Sequence, residues 1–356
     1  MRPTCLVLGV AILSCCMTFL AMPARGETGP QVKVTNVRRV FHNGEHNAFT
    51  DLVRFRDKFY LTFRSCPDGH MVHPGASIII LSSMDAQQWE QVHRFSVAKR
   101  DTRDPHFLVF KDKLFVYTGT WYCGDTSPKP EDYEMNLRLG YAAWSDDGVR
   151  WHSPILLEGT FGHYIWRAST FDGKAYLCGR RKKDFAVGPR GEGPMVESAM
   201  LESDDGLIWR TRALFQKTDG DETAFQFEAD GSVIAIGRTG RDNAQLLKSE
   251  KPYTQWKRKE LDRSIGGPLL ARWGSRYVVG GRKTMGDKGP KTSLCWLTND
   301  QLHEFAELPS GGDNSYPGFV EISPSRAIVS WYSSHETDAK GQPITAIYMA
   351  DLEIAE

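Results

Sequence analysis

The sequence lacks a surplus of either charge and lacks a long hydrophobic run. Its 356 residues include 44 Lys and Arg against 44 Asp and Glu, so the formal net charge is zero. Without a basic excess, nothing in the composition favours a nucleic-acid partner. The apolar run at residues 5–20 is too short to predict a stable membrane span. The composition therefore points to a partner that is neither nucleic acid nor a lipid bilayer.

Cysteine is also scarce, with seven in the chain. Three precede residue 27, and the other four are Cys66, Cys123, Cys178 and Cys295. None has the CxxC or Cys/His spacing of a zinc site, so we expect no metal and no cofactor. Cys66 and Cys123 follow the second strands of neighbouring repeats, and both a disulfide and two free thiols remain open.

The first 26 residues, MRPTCLVLGVAILSCCMTFLAMPARG, have the order of a secretory signal: a basic residue, an apolar stretch and small residues. We expect export to the periplasm or the exterior, with residues 27–356 forming one domain. A lipoprotein signal ending at Cys15 or Cys16 is the weaker alternative, because Leu13 and Ser14 fit such a site poorly.

A short tag recurs along the chain at intervals of roughly fifty residues. The two nearly identical copies are SDDGVRW from Ser145 and SDDGLIWR from Ser203, and looser copies start at Ser83, Ser249 and Thr298. In a Ser-x-Asp-Gly-x-x-Trp turn, we expect Ser and Asp to bind turn amides and the Trp to pack between sheets. The interval is typical of a propeller with four-stranded blades.

Six pairs of β-rich segments support the same architecture, each being an apolar strand, a turn and a second strand. Their first strands begin near residues 50, 104, 166, 222, 266 and 316. We therefore predict an all-β, six-bladed β-propeller of four-stranded antiparallel blades. The early strand Val32–Phe41 has no blade of its own, and we expect it to close the ring as the outermost strand of blade six.

Candidate functional residues gather at one face of this predicted ring. First-strand starts supply Asp51, Asp104, Trp166, Arg167, Glu222 and Tyr316, and second-strand ends supply Arg64, Arg238 and Arg282. Arginines, acids and aromatics around a shallow central pit fit an anionic or sugar ligand. The tags fall on the opposite face, so we expect their aspartates to be structural.

The tags resemble the Asp-box, or bacterial neuraminidase, repeat, and the chain resembles the sialidase superfamily of six-bladed propellers. In the stretch ETAFQFEADGSVIAIGR, the resemblance implies that Glu222 is the catalytic base and that Arg238 binds a substrate carboxylate. In GGDNSYPGF, it implies that Tyr316 is the nucleophile. The family further implies an exported, monomeric, exo-acting glycoside hydrolase that cleaves a terminal, acidic sugar from a glycan.

Blade one departs from the family pattern. Sialidases carry an Arg-Ile-Pro motif there, whereas this chain has AFTDLVRF and no arginine at that position. Arg64 is the candidate replacement, with Arg282 completing the carboxylate site. The acid is Asp51 or Asp104, and we expect His70, Arg167 and Trp166 to bind substrate.

Three alternatives remain open. In furanosidase-type propeller hydrolases, carboxylates alone act, and Asp51, Asp104 and Glu222 match them by position. Those propellers normally have five blades, so this alternative ranks second. A non-catalytic carbohydrate-binding propeller and a polysaccharide lyase are the others.

Overall fold

In the part of the chain that the structure describes, twenty-four β-strands form six four-stranded antiparallel sheets. The computed structural model describes Met1 and residues 29–187, 193–285 and 289–355. Apart from Met1, the predicted signal segment and its cysteines lie outside the described residues. The all-β, six-bladed propeller expected from the repeat is confirmed.

Blades one to three each contain four consecutive strands, of which the first is innermost. Blade one is β2 (His46–Phe55), β3 (Lys58–Cys66), β4 (Ser77–Ser83) and β5 (Glu90–Phe95). Blade two is β6 (Arg100–Phe110), β7 (Lys113–Tyr122), β8 (Leu139–Ser145) and β9 (Trp151–Leu156). Blade three is β10 (Tyr164–Phe171), β11 (Lys174–Lys182), β12 (Val196–Ser203) and β13 (Arg210–Gln216).

Blades four and five repeat this plan, and blade six takes its outermost strand from the start of the chain. Blade four is β14 (Thr223–Phe227), β15 (Val233–Thr239), β16 (Asp242–Ser249) and β17 (Lys257–Glu260). Blade five is β18 (Gly266–Trp273), β19 (Arg276–Thr284), β20 (Pro290–Thr298) and β21 (Gln301–Glu307). Blade six is β22 (Asn314–Ser323), β23 (Arg326–Thr337), β24 (Pro343–Ile354) and β1 (Val32–Phe41). Short 3-10 turns lie at Pro130–Asp132, Met135–Leu137, Lys183–Phe185 and Gly193–Met195.

Strand β1 places both ends of the described chain in one sheet. It pairs antiparallel with β24, with Val32 opposite Ile354. This pairing covers the strand edge that β24 would otherwise present to solvent.

The hydrophobic core lies between neighbouring blades. Between blades one and two, Ile78 and Ile80 pack in one cluster with Leu114 and Val116. The cluster between blades five and six contains Trp273, Trp296 and Trp331, which are among the largest fully buried side chains of the protein. Burial of apolar surface between sheets is the main favourable contribution to such a fold. No helix among the described residues is long and apolar enough to cross a membrane.

The tag turns lie at the junction of the third and fourth strands and connect adjacent blades. Asp147 Oδ1 accepts hydrogen bonds from the amides of Val149 and Arg150, both at 2.8 Å. In the next blade, Gly206 O accepts a bond of 3.0 Å from the hydroxyl of Tyr117 in blade two. The expected structural role of the turns is thus carried by hydrogen bonds within and between blades.

Five of the six innermost strands contain a bulge at the same position. The two unpaired residues are Phe49–Thr50, Asp104–Pro105, Trp166–Arg167, Gly267–Pro268 and Tyr316–Pro317. A bulge redirects a side chain relative to the strand. Proline is suited to the second position, where no ladder hydrogen bond is needed from its nitrogen.

Three non-glycine residues at these bulges have a left-handed backbone conformation. The φ angles are +64° at Phe49, +51° at Asp104 and +51° at Tyr316. Such conformations cost about 1–3 kcal/mol each and concentrate at functional sites. The bulges therefore mark the face at which the inner strands begin as the candidate site.

One arginine crosses the axis of the ring and ties four blades together. Arg167, from blade three, donates to Asp51 Oδ1 of blade one at 2.7 Å. It also donates to the carbonyls of Pro317 at 2.6 Å and Pro268 at 3.3 Å, in blades six and five. A cavity of about 150 Å³ lies along the inner strands at this level. Arg167 therefore binds the backbone of two of the bulges, those of blades five and six.

The four cysteines of the described residues are free thiols. Cys66, Cys123, Cys178 and Cys295 are all buried and unbridged. Of the two states that the sequence leaves open for Cys66 and Cys123, the structure contains the reduced one. The ring is held by sheet pairing and inter-blade packing.

We predict that Arg167→Met lowers the free energy of unfolding by about 3–5 kcal/mol, because it leaves the buried Asp51 carboxylate without its partner. Urea denaturation measures the change. The double variant Asp51→Asn/Arg167→Met should lose less of the free energy of unfolding than the single variant, because no unpaired carboxylate remains.

Arg150→Met is the matched control, because Arg150 is almost fully exposed. It should leave the denaturation midpoint unchanged. Wild-type stability in Arg167→Met would contradict the proposed role of the axial arginine.

Candidate active site

The central feature of the site is a direct hydrogen bond between a phenol and a carboxylate from different blades. Tyr316 Oη, at the blade-six bulge, donates to Glu222 Oε1 over 2.7 Å. Glu222 immediately precedes β14 in blade four. Both side chains are buried, with 5 % of each residue exposed. The two residues that the family resemblance singles out are therefore in contact.

The second oxygen of Glu222 is held by an arginine and a backbone amide. Arg238 Nη1 donates to Oε2 at 2.8 Å, and Gly267 N donates to the same oxygen at 3.1 Å. The φ angle of Gly267 is +61°, and a Cβ atom there would lie 2.5 Å from the Tyr316 ring. Glycine at the blade-five bulge thus admits the phenol ring and supports the carboxylate.

Burial opposes ionisation of Tyr316. Desolvation, followed by the charge of Glu222, raises its pKa well above the ordinary value for a phenol. A free phenolate is therefore scarce near neutral pH, and nucleophilic attack requires a base that takes the proton as the bond forms. Glu222 is placed to do so.

Asp104 is a second buried carboxyl group in the opposite electrostatic situation. Its Oδ2 accepts a hydrogen bond from the Tyr164 hydroxyl, whereas its Oδ1 has no partner among the described residues. Desolvation, followed by the negative charge of Glu222, raises the pKa of Asp104 well above its usual value. A carboxyl group with a raised pKa is suited to donate a proton, and Glu222, held by Arg238 and the Gly267 amide, is placed to accept one.

Three arginines line the same face at the ends of the second strands of blades three, four and five. They are Arg180, Arg238 and Arg282. Asp221 lies between the first two, 3.0 Å from Arg180 and 3.4 Å from Arg238. Arg282 has looser contacts, 3.5 Å to Asp313 and 3.4 Å to the Asn314 carbonyl. Since its internal bonds are long, Arg282 has the most capacity to bind an anion.

Aromatic rings enclose the phenol of Tyr316. The Phe49 ring centroid lies 4.9 Å away and the Trp166 centroid 5.1 Å away. Trp166 is 1 % exposed and packs edge-on against His106 at 4.2 Å. Its place differs from the expectation that it contacts substrate, because it forms the wall behind Tyr316.

Asp51 and Arg167 also lie elsewhere than expected. The expectation makes Asp51 an acid and Arg167 a substrate ligand, yet they bind each other in the axial ion pair. Asp51 further accepts the Phe107 amide at 2.9 Å. Burial opposes its ionisation, but Arg167 and His106 outweigh burial and lower its pKa below the usual value. A carboxylate held in this way is a poor proton donor.

Arg64 does not replace the missing blade-one arginine at the surface of the site. It is fully buried and donates to Asp101 at 2.7 and 3.2 Å. It also binds the carbonyls of Gly69 and Met71, each at 2.9 Å. Arg64 therefore holds the loop after β3 in place, and that loop carries His70.

His70 lies at the rim, with 46 % of its side chain exposed. Its Nδ1 is 2.7 Å from Asp313 Oδ2, and His46 Nε2 lies 2.9 Å from the same oxygen. The Phe49 ring is edge-on to His70 at 5.4 Å. The rim position leaves the expected contact between His70 and a substrate open.

Sequence reasoning missed several residues that complete the site. They are Asp221, Asp313, His46 and Tyr164. The strand-end arginines were found from their shared position in the blades, and in the structure Arg64, Arg180 and Arg282 stand opposite the residue just before or near a bulge. The contacts of Asp313 and Asp221 had no such signal, since they come from segments remote in the chain.

Comparison with known proteins supports the fold. No protein-family model matches the chain, and no curated protein matches it. A solved protein of unknown function from Dyadobacter fermentans aligns with 92 % of this chain and 100 % of its own, at a TM-score of 0.75 and 18 % identity. The similarity is therefore one of architecture.

Two sialidases share the propeller. Trypanosoma rangeli sialidase in complex with sialic acid has a TM-score of 0.62 and 11 % identity, and the match covers 92 % of this chain but 59 % of that one. Phage phi92 endosialidase has a TM-score of 0.63 and 9 % identity, with coverage of 90 % and 69 %. This chain thus spans less than two thirds of the trypanosomal enzyme. Structural neighbours of the chain include sialidases, as the sequence resemblance indicates.

We predict that wild-type protein at neutral pH contains a protonated carboxylic acid that Asp104→Asn removes. Burial and the neighbouring Glu222 charge raise the pKa of Asp104, so its proton is retained as pH rises past the normal range for aspartate and is lost only above the raised value. Infrared difference spectroscopy detects the acid carbonyl band.

Asp221→Asn is the control, because Asp221 lies between two arginines that favour its ionised form. The band should persist in that variant. An identical spectrum in wild type and Asp104→Asn would show that Asp104 is ionised.

Proposed function

We propose that the protein is an exported, exo-acting glycoside hydrolase that releases a terminal, acidic sugar from a glycan. The observation that carries this proposal is the 2.7 Å hydrogen bond between Tyr316 and Glu222. A phenol paired with a carboxylate base, near a carboxyl group whose pKa is raised, supplies the groups needed for covalent glycoside cleavage. Export rests on the character of the first 26 residues alone.

In the proposed first step, Tyr316 Oη attacks the anomeric carbon while its proton passes to Glu222 Oε1. The bond from that carbon to the leaving oxygen breaks, and Asp104 donates a proton to the departing alcohol. In the second step, Asp104, now a carboxylate, takes a proton from water. The resulting hydroxide displaces Tyr316 from the sugar, and Glu222 returns the proton to the phenol oxygen.

The charge distribution favours Tyr316 over a carboxylate as the nucleophile. Arg238 is already bound to Glu222, and Arg282 lies next to the site with only long internal contacts. These groups suit a substrate that carries an acid group near the reacting carbon. A neutral phenol approaches such a carbon without the repulsion that a carboxylate would meet.

The carboxylate-only alternative is less well supported. It assigns a catalytic role to Asp51, whose oxygens are bound by Arg167 and the Phe107 amide. Its lowered pKa opposes proton donation to a sugar, whereas the pKa of Asp104 is raised. We therefore assign the acid role to Asp104.

We expect Tyr316→Phe to lower kcat by about 10³-fold or more, because the nucleophile is lost while the buried ring remains. Activity is measured on a panel of glycans and aryl glycosides by mass spectrometry of the products. A substrate analogue bearing fluorine beside the anomeric carbon should leave a covalent adduct on Tyr316 in the wild type.

The released products distinguish the alternatives. A free acidic sugar supports the proposal, an unsaturated end indicates a lyase, and the absence of any product indicates a binding protein. Release of a neutral furanose that persists in Tyr316→Phe would support the carboxylate-only mechanism. Asp147→Ala, in a tag turn on the opposite face, is the control that should keep wild-type turnover.

We expect Arg282→Ala to raise KM for an acidic substrate about 10- to 100-fold, the equivalent of one charge-assisted hydrogen bond. The value of kcat should change less. Steady-state kinetics on an acidic sugar glycoside and its neutral amide analogue measure the effect.

Arg272→Ala is the matched control from the same blade. Arg272 lies at the far end of β18 and pairs with Glu228. Its removal should leave both constants unchanged. Equal effects of Arg282→Ala on the acidic and the neutral substrate would argue against an acid-binding role.

A further inference from the structure

Two imidazoles and a carboxylate converge at the rim of the candidate site and have no part in the proposed proton transfers. His46 Nε2 and His70 Nδ1 approach Asp313 Oδ2 at 2.9 and 2.7 Å. The three ligand-type atoms all lie within 4.8 Å of one another. Cis ligands around a metal ion with bonds of about 2.1 Å lie about 3 Å apart, which is close to the two nitrogen–oxygen distances of this cluster.

Separate parts of the fold hold the three residues in place. His46 begins β2, and Asp313 immediately precedes β22. His70 lies in the loop whose carbonyls are bound by Arg64, and its own carbonyl accepts Arg103 at 3.1 Å. The cluster is thus pre-organised where blades one and six meet.

The two oxygens of Asp313 have different partners. Oδ1 accepts the Tyr332 hydroxyl at 2.8 Å and lies 3.5 Å from Arg282. Oδ2 faces the two imidazoles. Metal-binding carboxylates are typically supported by such outer hydrogen bonds, which orient the free oxygen toward the ion.

The imidazoles can present lone pairs to an ion once the protons they share with Asp313 move to their distant nitrogens. His46 is mostly buried, and its Nδ1 has no hydrogen-bond partner among the described residues, so this nitrogen can take the proton that Nε2 donates to Asp313. His70 is 46 % exposed, which leaves an open side for water or another ligand. Each ring can carry its proton on the distant nitrogen, and binding then needs no net loss of a proton.

We propose that His46, His70 and Asp313 bind a divalent first-row transition-metal ion, of which Zn²⁺ is the probe. Two histidines and one carboxylate are a known ligand set for Zn²⁺ and related ions, with at least one position left for water or a substrate oxygen. The ion adds positive charge beside Arg282, at the mouth of the site. This replaces the expectation of no metal, which rests on sequence spacing.

The test is metal binding by untagged protein that has been treated with a chelator and dialysed. We expect calorimetry to show one Zn²⁺ per chain, and Co²⁺ to give a visible absorption spectrum that Zn²⁺ abolishes. His70→Ala and Asp313→Asn should each weaken binding at least tenfold. Zn²⁺ should raise the Tm of the wild type and leave that of His70→Ala unchanged.

His73→Ala is the matched control, because His73 is in the same loop and its Nδ1 accepts the Gly75 amide. It should bind Zn²⁺ like the wild type. Absence of stoichiometric binding, or binding that survives His70→Ala, would overturn the proposal, as would equal loss in His73→Ala. These readouts do not depend on turnover, so they stand apart from the test of glycosidase activity.

Discussion

The ion pair of Arg167 with Asp51 at the axis is the interaction on which the site depends. A propeller brings its inner strands together around a channel, and their bulges leave carbonyls there without strand partners. Arg167 donates to two such carbonyls, at Pro268 and Pro317, and to the Asp51 carboxylate. The residues that precede those prolines are Gly267 and Tyr316. The geometry of the phenol therefore rests on a charge buried beneath it.

Above the Arg167–Asp51 ion pair, burial affects two carboxyl groups in opposite ways. Glu222 is compensated by Arg238 and by the Gly267 amide, so it can accept a proton. Asp104 is desolvated, and one of its oxygens lacks a partner among the described residues, so burial and the charge of Glu222 raise its pKa. Low dielectric surroundings enlarge this difference, since each unbalanced charge costs more there than in water. The site thus combines a carboxylate placed to accept a proton with a carboxyl group whose pKa is raised.

Much of the architecture could be predicted from local patterns. The tags, the apolar strands and their spacing predict six blades, because a tag recurs in the first five blades and the pair of apolar strands recurs in all six. The family resemblance predicts Glu222, Arg238 and Tyr316, and the structure brings all three into one group. Position along a blade did not predict the partners of Asp51, Arg64 and Arg167. They start or end strands as the other candidates do, yet their side chains turn to buried partners.

The reason is that the position of a residue in its strand determines the face of the ring on which the residue lies. Its role depends instead on the groups that its side chain contacts. Arg64 meets Asp101 from the next blade, and Arg282 meets Asp313, which lies near His46 and His70 only after the ring has closed. The sequence by itself determined the all-β repeat, the number of blades and the face that carries the chemistry, because these follow from short-range periodicity. Only the tertiary structure decided which charges pair, which carboxyl group has a raised pKa and which imidazoles converge, because those depend on burial and on contacts between segments remote in the chain.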